Sequence, residues 1–249
     1  MLQVVPAHAA EPDPRATLEA LRNLDVTVAR VGYRIATANA ALCDRQTPAS
    51  GVLLDGIEQY GGPYREAAAA LFNLGDAPGV AAVLPGSPAA EAGVRAGDAV
   101  LAINGAPAAT AAGQGGKGNF DRMALVLDQF EAALAVGPVT LDLQRGGERL
   151  SVRFSGASAC ASRFQVQPSD ELNAAADGRY VQISSGFIPY FANEDEFAAI
   201  LAHELAHNIL NHRDRLDAQR VPRGFFRKFG KNAARIRETE IEADRFSLK

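Results

Sequence analysis

Three of the four histidines in this chain lie between positions 203 and 212, and two of them frame the string His203-Glu204-Leu205-Ala206-His207. Residues four apart share one face of a helix, so on a helix these two imidazoles can close on a single divalent cation. Glu204 then stands beside the cation as a proton carrier, the arrangement of the HExxH zinc helix. With so few histidines, chance would produce the pattern in only about 0.4% of chains of this composition. The flanks also predict a helix. Asn193 is placed to cap it, Glu196 completes a capping box, and Glu194 and Asp195 add negative charge to the first turn, where the helix dipole favours it. Phe197, Leu201, Leu205 and Ile209 recur at helical spacing and form an apolar stripe that anchors the helix, leaving the histidines to face a cleft.

A catalytic zinc takes three protein ligands and keeps one position for water, so a third ligand is required. His212 is the nearest candidate, but it follows His207 by five residues with no glycine turn between them. It reads as a helix-end residue favoured by the C-terminal dipole, not a ligand. Glu240 is the better candidate. It lies in Glu240-Ile241-Glu242-Ala243-Asp244, on a second helical stretch beginning near Asn232, where Glu240 and Asp244 share a face. The first can bind the metal while the second holds a ligating histidine by its other nitrogen. Ala243 leaves that approach uncrowded. Glu238, Glu242 and Arg245 read as solvated helix charges.

HELAH followed by ExxAD some thirty residues later resembles the gluzincin metallopeptidases of family forty-eight, a group that includes the HtpX, BepA, Oma-type and CAAX prenyl endopeptidases. The preceding stretch, Leu172 to Ala176 and then Gly178 to Phe187, is similar to the strand region ahead of the zinc helix in that family. The resemblance spans about Cys160 to Lys249. It implies an α+β, zincin-like domain that hydrolyses peptide bonds in protein substrates, with zinc held by His203, His207 and Glu240, Asp244 behind them and Glu204 as general base. The alternating run from Tyr180 to Ser184 reads as a strand. By resemblance it borders the cleft and pairs with an extended substrate, with Tyr180 and Val181 as contacts and Asn173 and Ala174 beside them. No oxyanion donor is assigned. The stop five residues after Asp244 suggests a shortened domain, or one that needs another segment.

Upstream, Val80 to Gly105 alternates strand, Pro-Gly turn, short alanine-rich helix, Gly-Asp turn and strand, and resembles the central half of a bacterial-type PDZ domain. Arg122 to Leu134 reads as an amphipathic helix with Met123, Leu125, Val126, Leu127, Phe130 and Leu134 available for burial. Val139 to Leu143 and Arg149 to Phe154 read as a hairpin across Gly146-Gly147. This order implies a PDZ domain, a partly open barrel with two helices, over Ser50 to Ser155. The resemblance implies that it takes a peptide, such as a protein C-terminus, as an added strand at Gly51, Val52 and Leu53. The loop from Ala111 to Gly118 imitates a phosphate loop but lacks the required Ser or Thr after its lysine, so it reads as a plain loop.

Ala16 to Cys43 carries Leu18, Leu21, Leu24, Val28, Val31 and Ile35 at helical spacing, and is expected to pack on the peptidase. The expected organisation is therefore a tail over 1–15, a helical lead-in over 16–49, the PDZ insert over 50–155 and the metallopeptidase domain over 156–249. Cys43 and Cys160 flank the insert and are expected to be bonded together, with two buried thiols as the alternative. Ala7-His8-Ala9 resembles the end of an export signal whose apolar core is missing, which together with the disulfide favours a periplasmic location. A net charge of -4 gives no reason to expect a nucleic-acid partner. The run from Arg220 to Arg237, with Phe225, Phe226 and Phe229, is a candidate for contact with an anionic membrane surface, or else packs its phenylalanines on the core. A reading from a different class is a non-catalytic PDZ scaffold with a structural or incomplete zinc site.

Overall fold

The computed structural model describes residues 13–108, 118–221 and 230–249. The tail ahead of Asp13, most of the glycine-rich loop, and the phenylalanines of the basic segment lie outside the described residues.

The first helix, α1 (Pro14–Ala38), is longer at its start and shorter at its end than the expected lead-in. Asp13 caps it by accepting from the Arg15 N–H, and Pro14 occupies the first turn, where a missing N–H costs nothing. Strands β1 (Gln46–Ala49) and β2 (Val52–Asp55) follow, then α2 (Pro63–Phe72), β3 (Gly79–Val83), a one-turn α3 (Pro88–Glu91), β4 (Ala99–Ile103) and a short β5 (Ala106–Pro107). Next come α4 (Asp121–Ala135), the hairpin of β6 (Val139–Arg145) and β7 (Glu148–Phe154), and β8 (Ala157–Cys160). The chain continues through β9 (Arg163–Gln167), β10 (Ala174–Ala176) and β11 (Tyr180–Ser184) to α5 (Glu194–Ile209), α6 (His212–Ala218) and α7 (Gly230–Ser247).

The middle of the chain forms one open sheet of order β2-β3-β4-β6-β7, with β5 added to β4. Alternation builds it: Val139, Leu141 and Leu143 point inward from β6 and meet Val100, Ile103, Phe130 and Leu134. Gly146 and Gly147 both hold positive φ, as a two-residue hairpin turn requires. The Gly97-Asp98 turn is fixed by a buried carboxylate: Asp98 takes a bidentate pair from Arg145, at 2.6 and 2.7 Å. Along α4, Met123, Val126, Phe130 and Leu134 are buried, but Leu125 is 64% exposed, because it falls on the face opposite the stripe. α2 is an additional helix beyond the two expected here.

A second core gathers Val28 and Val31 of α1, Val181 and Ile183 of β11, and Phe197, Leu201 and Leu205 of α5. α1 lies so close to β9 that a Cβ on Gly32 would meet the Phe164 ring at 2.3 Å. Cys43 and Cys160 form a disulfide at the foot of the β1–β8 pair, with Cα atoms 5.4 Å apart. The two cores are tied by ion pairs. Arg22 on α1 binds Asp55 on β2, and Arg163 on β9 binds Glu131 and Asp128 on α4, at 2.5 and 2.6 Å.

The three-stranded sheet has the order β10-β11-β9, which corrects one expectation. β11 is the central strand, antiparallel to β10 and parallel to β9, so both of its edges are already bonded. Tyr180 and Val181 therefore cannot pair with a substrate strand. Val181 is fully buried, and the Tyr180 hydroxyl accepts from Arg163 at 2.7 Å. The edge strand on the side facing α5 is β10, which contains Ala174, with the exposed Asn173 just before it.

Candidate metal centre

α5 starts as its sequence dictates. The Asn193 side chain accepts from the Glu196 N–H at 3.0 Å, and Glu196 returns a bond one residue further back than a capping box expects, to the Ala192 N–H. Phe197, Leu201 and Leu205 bury one face of the helix, which leaves His203, Glu204 and His207 half-buried on another. α7 packs across α5 through Ala243, fully buried, and a larger side chain there would push the helices apart.

This packing brings three donor atoms together from two helices. His203 Nε2 and His207 Nε2 are 3.1 Å apart, and Glu240 Oε2 lies 3.4 and 3.6 Å from them. Tetrahedral ligands at zinc bond lengths should stand about 3.3 to 3.4 Å from one another. The observed triangle has those dimensions, and its two nitrogens and one carboxylate oxygen are the donor types zinc accepts, so the residues fit that ion. Asp244 sits behind, its carboxylate 2.9 Å from His203 Nδ1, where it holds the ring with Nε2 facing the triangle.

The electrostatics agree with a cation site. The two histidines hold the Glu240 carboxyl well below the usual carboxylate range, ready to bind as an anion. The hydrogen bond to Glu240 raises His203, showing how much positive charge is welcome there. Burial pushes Glu204 up against the pull of both histidines, moving a carboxylate toward the range in which it can take and return a proton.

A family model for peptidase family M48 matches residues 139–222, and one for the PDZ domain matches residues 79–112. Residues 139–222 are thus similar to the M48 peptidases and residues 79–112 to PDZ domains. A crystal structure of the HtrA3 PDZ domain bound to a phage-derived ligand, FGRWV, is similar over 46% of this chain and 89% of that one, at 19% identity and a TM-score of 0.33. No curated protein matches the chain. The M48 match includes His203, Glu204 and His207 and stops before Glu240 and Asp244, so the third corner of the triangle rests on the geometry and not on that match.

His212 and Glu242 have larger parts than their sequence reading gave them. His212 is not at the C-terminal end of a helix: Asn211 takes a left-handed conformation, ends α5, and lets a new helix begin at His212. The His212 ring is buried, with Nδ1 2.9 Å from His207 Nδ1 and Nε2 3.1 Å from Glu242. Burial lowers its tendency to charge. Glu242 is therefore no idle surface charge; Arg215, first, and His212 hold its carboxyl down to about 2. Asn208, buried on α5, accepts from the Gly178 N–H at 2.6 Å and donates to Ser162 and the Tyr180 carbonyl. It fastens the helix to the turn before β11. A polar side chain in mid-helix was the available signal, since a buried amide needs partners outside its own helix.

Gly51, Val52 and Leu53, at the start of β2, line a cleft of about 650 Å³ together with Leu127, Phe130 and Leu134 of α4. β2 pairs only with β3 among the described strands. The cleft lies away from the histidines and is walled on its far side by α1 and β9.

Proposed function

We propose that the chain is a zinc-dependent endopeptidase acting on protein substrates. The observation that carries this reading is the triangle of His203 Nε2, His207 Nε2 and Glu240 Oε2, with edges of 3.1 to 3.6 Å. When bound there, zinc would supply Lewis acidity to a water and to the scissile carbonyl. Glu204 takes the proton of the attacking water on its carboxylate and passes it to the departing amine. Asp244 keeps His203 turned toward the cation. The extended substrate adds to the free edge of β10 at Ala174, beside Asn173, and not to β11.

In this reading the PDZ domain holds a peptide segment, as an added strand on β2 between Gly51 and Leu53, in the cleft facing α4. The disulfide fits an oxidising compartment such as the periplasm, and envelope protein quality control suits a peptidase joined to a peptide-binding module.

Metal analysis of the purified chain together with digestion of unfolded casein tests the proposal. About one zinc per chain, and a Glu204→Gln variant that keeps its zinc while losing about 100-fold or more of the activity, would support it. Stoichiometric peptide binding without turnover by the zinc-loaded protein would favour a scaffold instead.

A further inference from the structure

We infer that His212 is a positioning residue for the metal centre: it fixes which nitrogen His207 presents to the ion, from the same node that seats Glu240. The inference rests on the zinc-site reading above. His207 turns Nε2 toward His203 and Glu240, while its Nδ1 lies 2.9 Å from His212 Nδ1. Two ring nitrogens at that distance share one proton. A nitrogen that ligates must be bare, so the proton of His207 is on Nδ1 and is donated to His212 Nδ1. The proton of His212 is then on Nε2, where Glu242 Oε2 accepts it at 3.1 Å. Arg215 grips both oxygens of that carboxylate, at 2.5 and 3.1 Å. Only one tautomer of each ring satisfies the whole chain, and it is the tautomer that leaves His207 Nε2 free for metal.

Two further observations separate this from a packing role. His212 is 1% exposed, so water cannot replace it behind His207. The carboxylate that receives its proton belongs to α7, two residues beyond Glu240, while Arg215 and His212 both belong to α6. The node therefore pins α7 at the place from which Glu240 reaches the histidines. Ala243 packs α7 close, but a methyl group cannot fix its rotation. His212 is not itself a fourth ligand, because it meets His207 at the nitrogen pointing away from the triangle.

The test uses the full chain freed of metal, with zinc affinity read by chelator competition and the cobalt(II)-loaded visible spectrum as a second readout. His212→Leu is expected to lose about 10- to 100-fold in zinc affinity and to alter the cobalt bands. His212→Gln should recover most of that loss, since its amide oxygen can accept from His207 and its NH₂ can donate to Glu242. Glu242→Ala should weaken zinc in the same direction by a smaller factor. A purely structural role would lower the melting temperature of the metal-free protein but leave affinity and cobalt bands unchanged. His212→Leu folded, with zinc affinity within twofold of the parent and the same cobalt spectrum, overturns the inference. If that variant does not fold, parental affinity and spectrum in Glu242→Ala overturn it. A parent that binds no zinc, or binds it equally after His203→Ala, removes the zinc-site reading and this inference together; failure confined to the 212 and 242 variants removes only the inference.

Discussion

The disulfide gives the sharpest test of how the two parts of this chain depend on each other. Cys43 and Cys160 are 117 residues apart and close a loop containing the entire β2 to β7 sheet. If the chain unfolds as one unit, chain entropy assigns the bond about 5 kcal/mol at 25 °C. If the sheet stays folded while the peptidase core melts, the chain between β2 and β7 gains no freedom for the bond to remove. The loop that matters is then the short lead from Cys43 to Val52 plus that from Phe154 to Cys160, about 15 residues, and the benefit falls to about 3 kcal/mol. Both sulfurs are buried, and two alanines or two thiols suit those surroundings, so little of the change should come from the folded state. Urea unfolding of the oxidised protein and of the Cys43→Ala, Cys160→Ala variant, followed by far-UV circular dichroism, measures the gap. A gap near 5 kcal/mol indicates one cooperative unit, and one near 3 kcal/mol with two transitions indicates two. A gap below about 1 kcal/mol would refute the reasoning, as would two titratable thiols in the unreduced, denatured protein.

Three further outcomes follow from the same geometry. Leu201 is fully buried on the core face of α5, the helix that carries the histidines, so Leu201→Ala should cost about 2 to 5 kcal/mol in urea unfolding and loosen zinc as well. Burial raises Asp25 on α1 from 3.8 to about 6, which makes the folded state favour its neutral form. Its contribution is thus fully present below about pH 4 and is lost as pH rises through 6, a span of about 3 kcal/mol. Asp25→Asn should therefore gain on the parent between pH 4 and 7, and a pH-independent difference would exclude this. Arg163→Ala breaks the tie between α4 and β9. The carboxylates it releases are 40 to 45% exposed and can rehydrate, so the loss should be only about 1 to 2 kcal/mol, read as a shift in the urea midpoint.

What the sequence made legible was local or periodic. The Asn193 cap, the Phe197-Leu201-Leu205 stripe, the Gly146-Gly147 hairpin and the shared face of Glu240 and Asp244 each follow from residues a few positions apart, and each appears in the structure. Strand order is another matter. Tyr180 to Ser184 alternates in the way any half-buried strand does, and nothing within five residues says whether its neighbours lie on one side or both. That depended on β9 arriving in parallel from upstream, a non-local pairing, and it moved the available edge from β11 to β10.

The contact that His212 makes behind His207 was hidden for a different reason. Five residues after His207 on an unbroken helix, its ring would point well away from the ligand face. One left-handed residue, Asn211, changes that geometry by restarting the helix at His212 and folding the ring back behind His207. The same break brings Arg215 round to Glu242, so one backbone torsion supports both the orientation of a ligand and the docking of the helix that supplies another. Asn211→Gly, which keeps the left-handed conformation without strain, should leave zinc affinity near the parent value. Asn211→Val, which resists it, should reproduce the weakening expected of His212→Leu. If the valine variant is folded and binds zinc as tightly as the parent, the turn is not what places the ring.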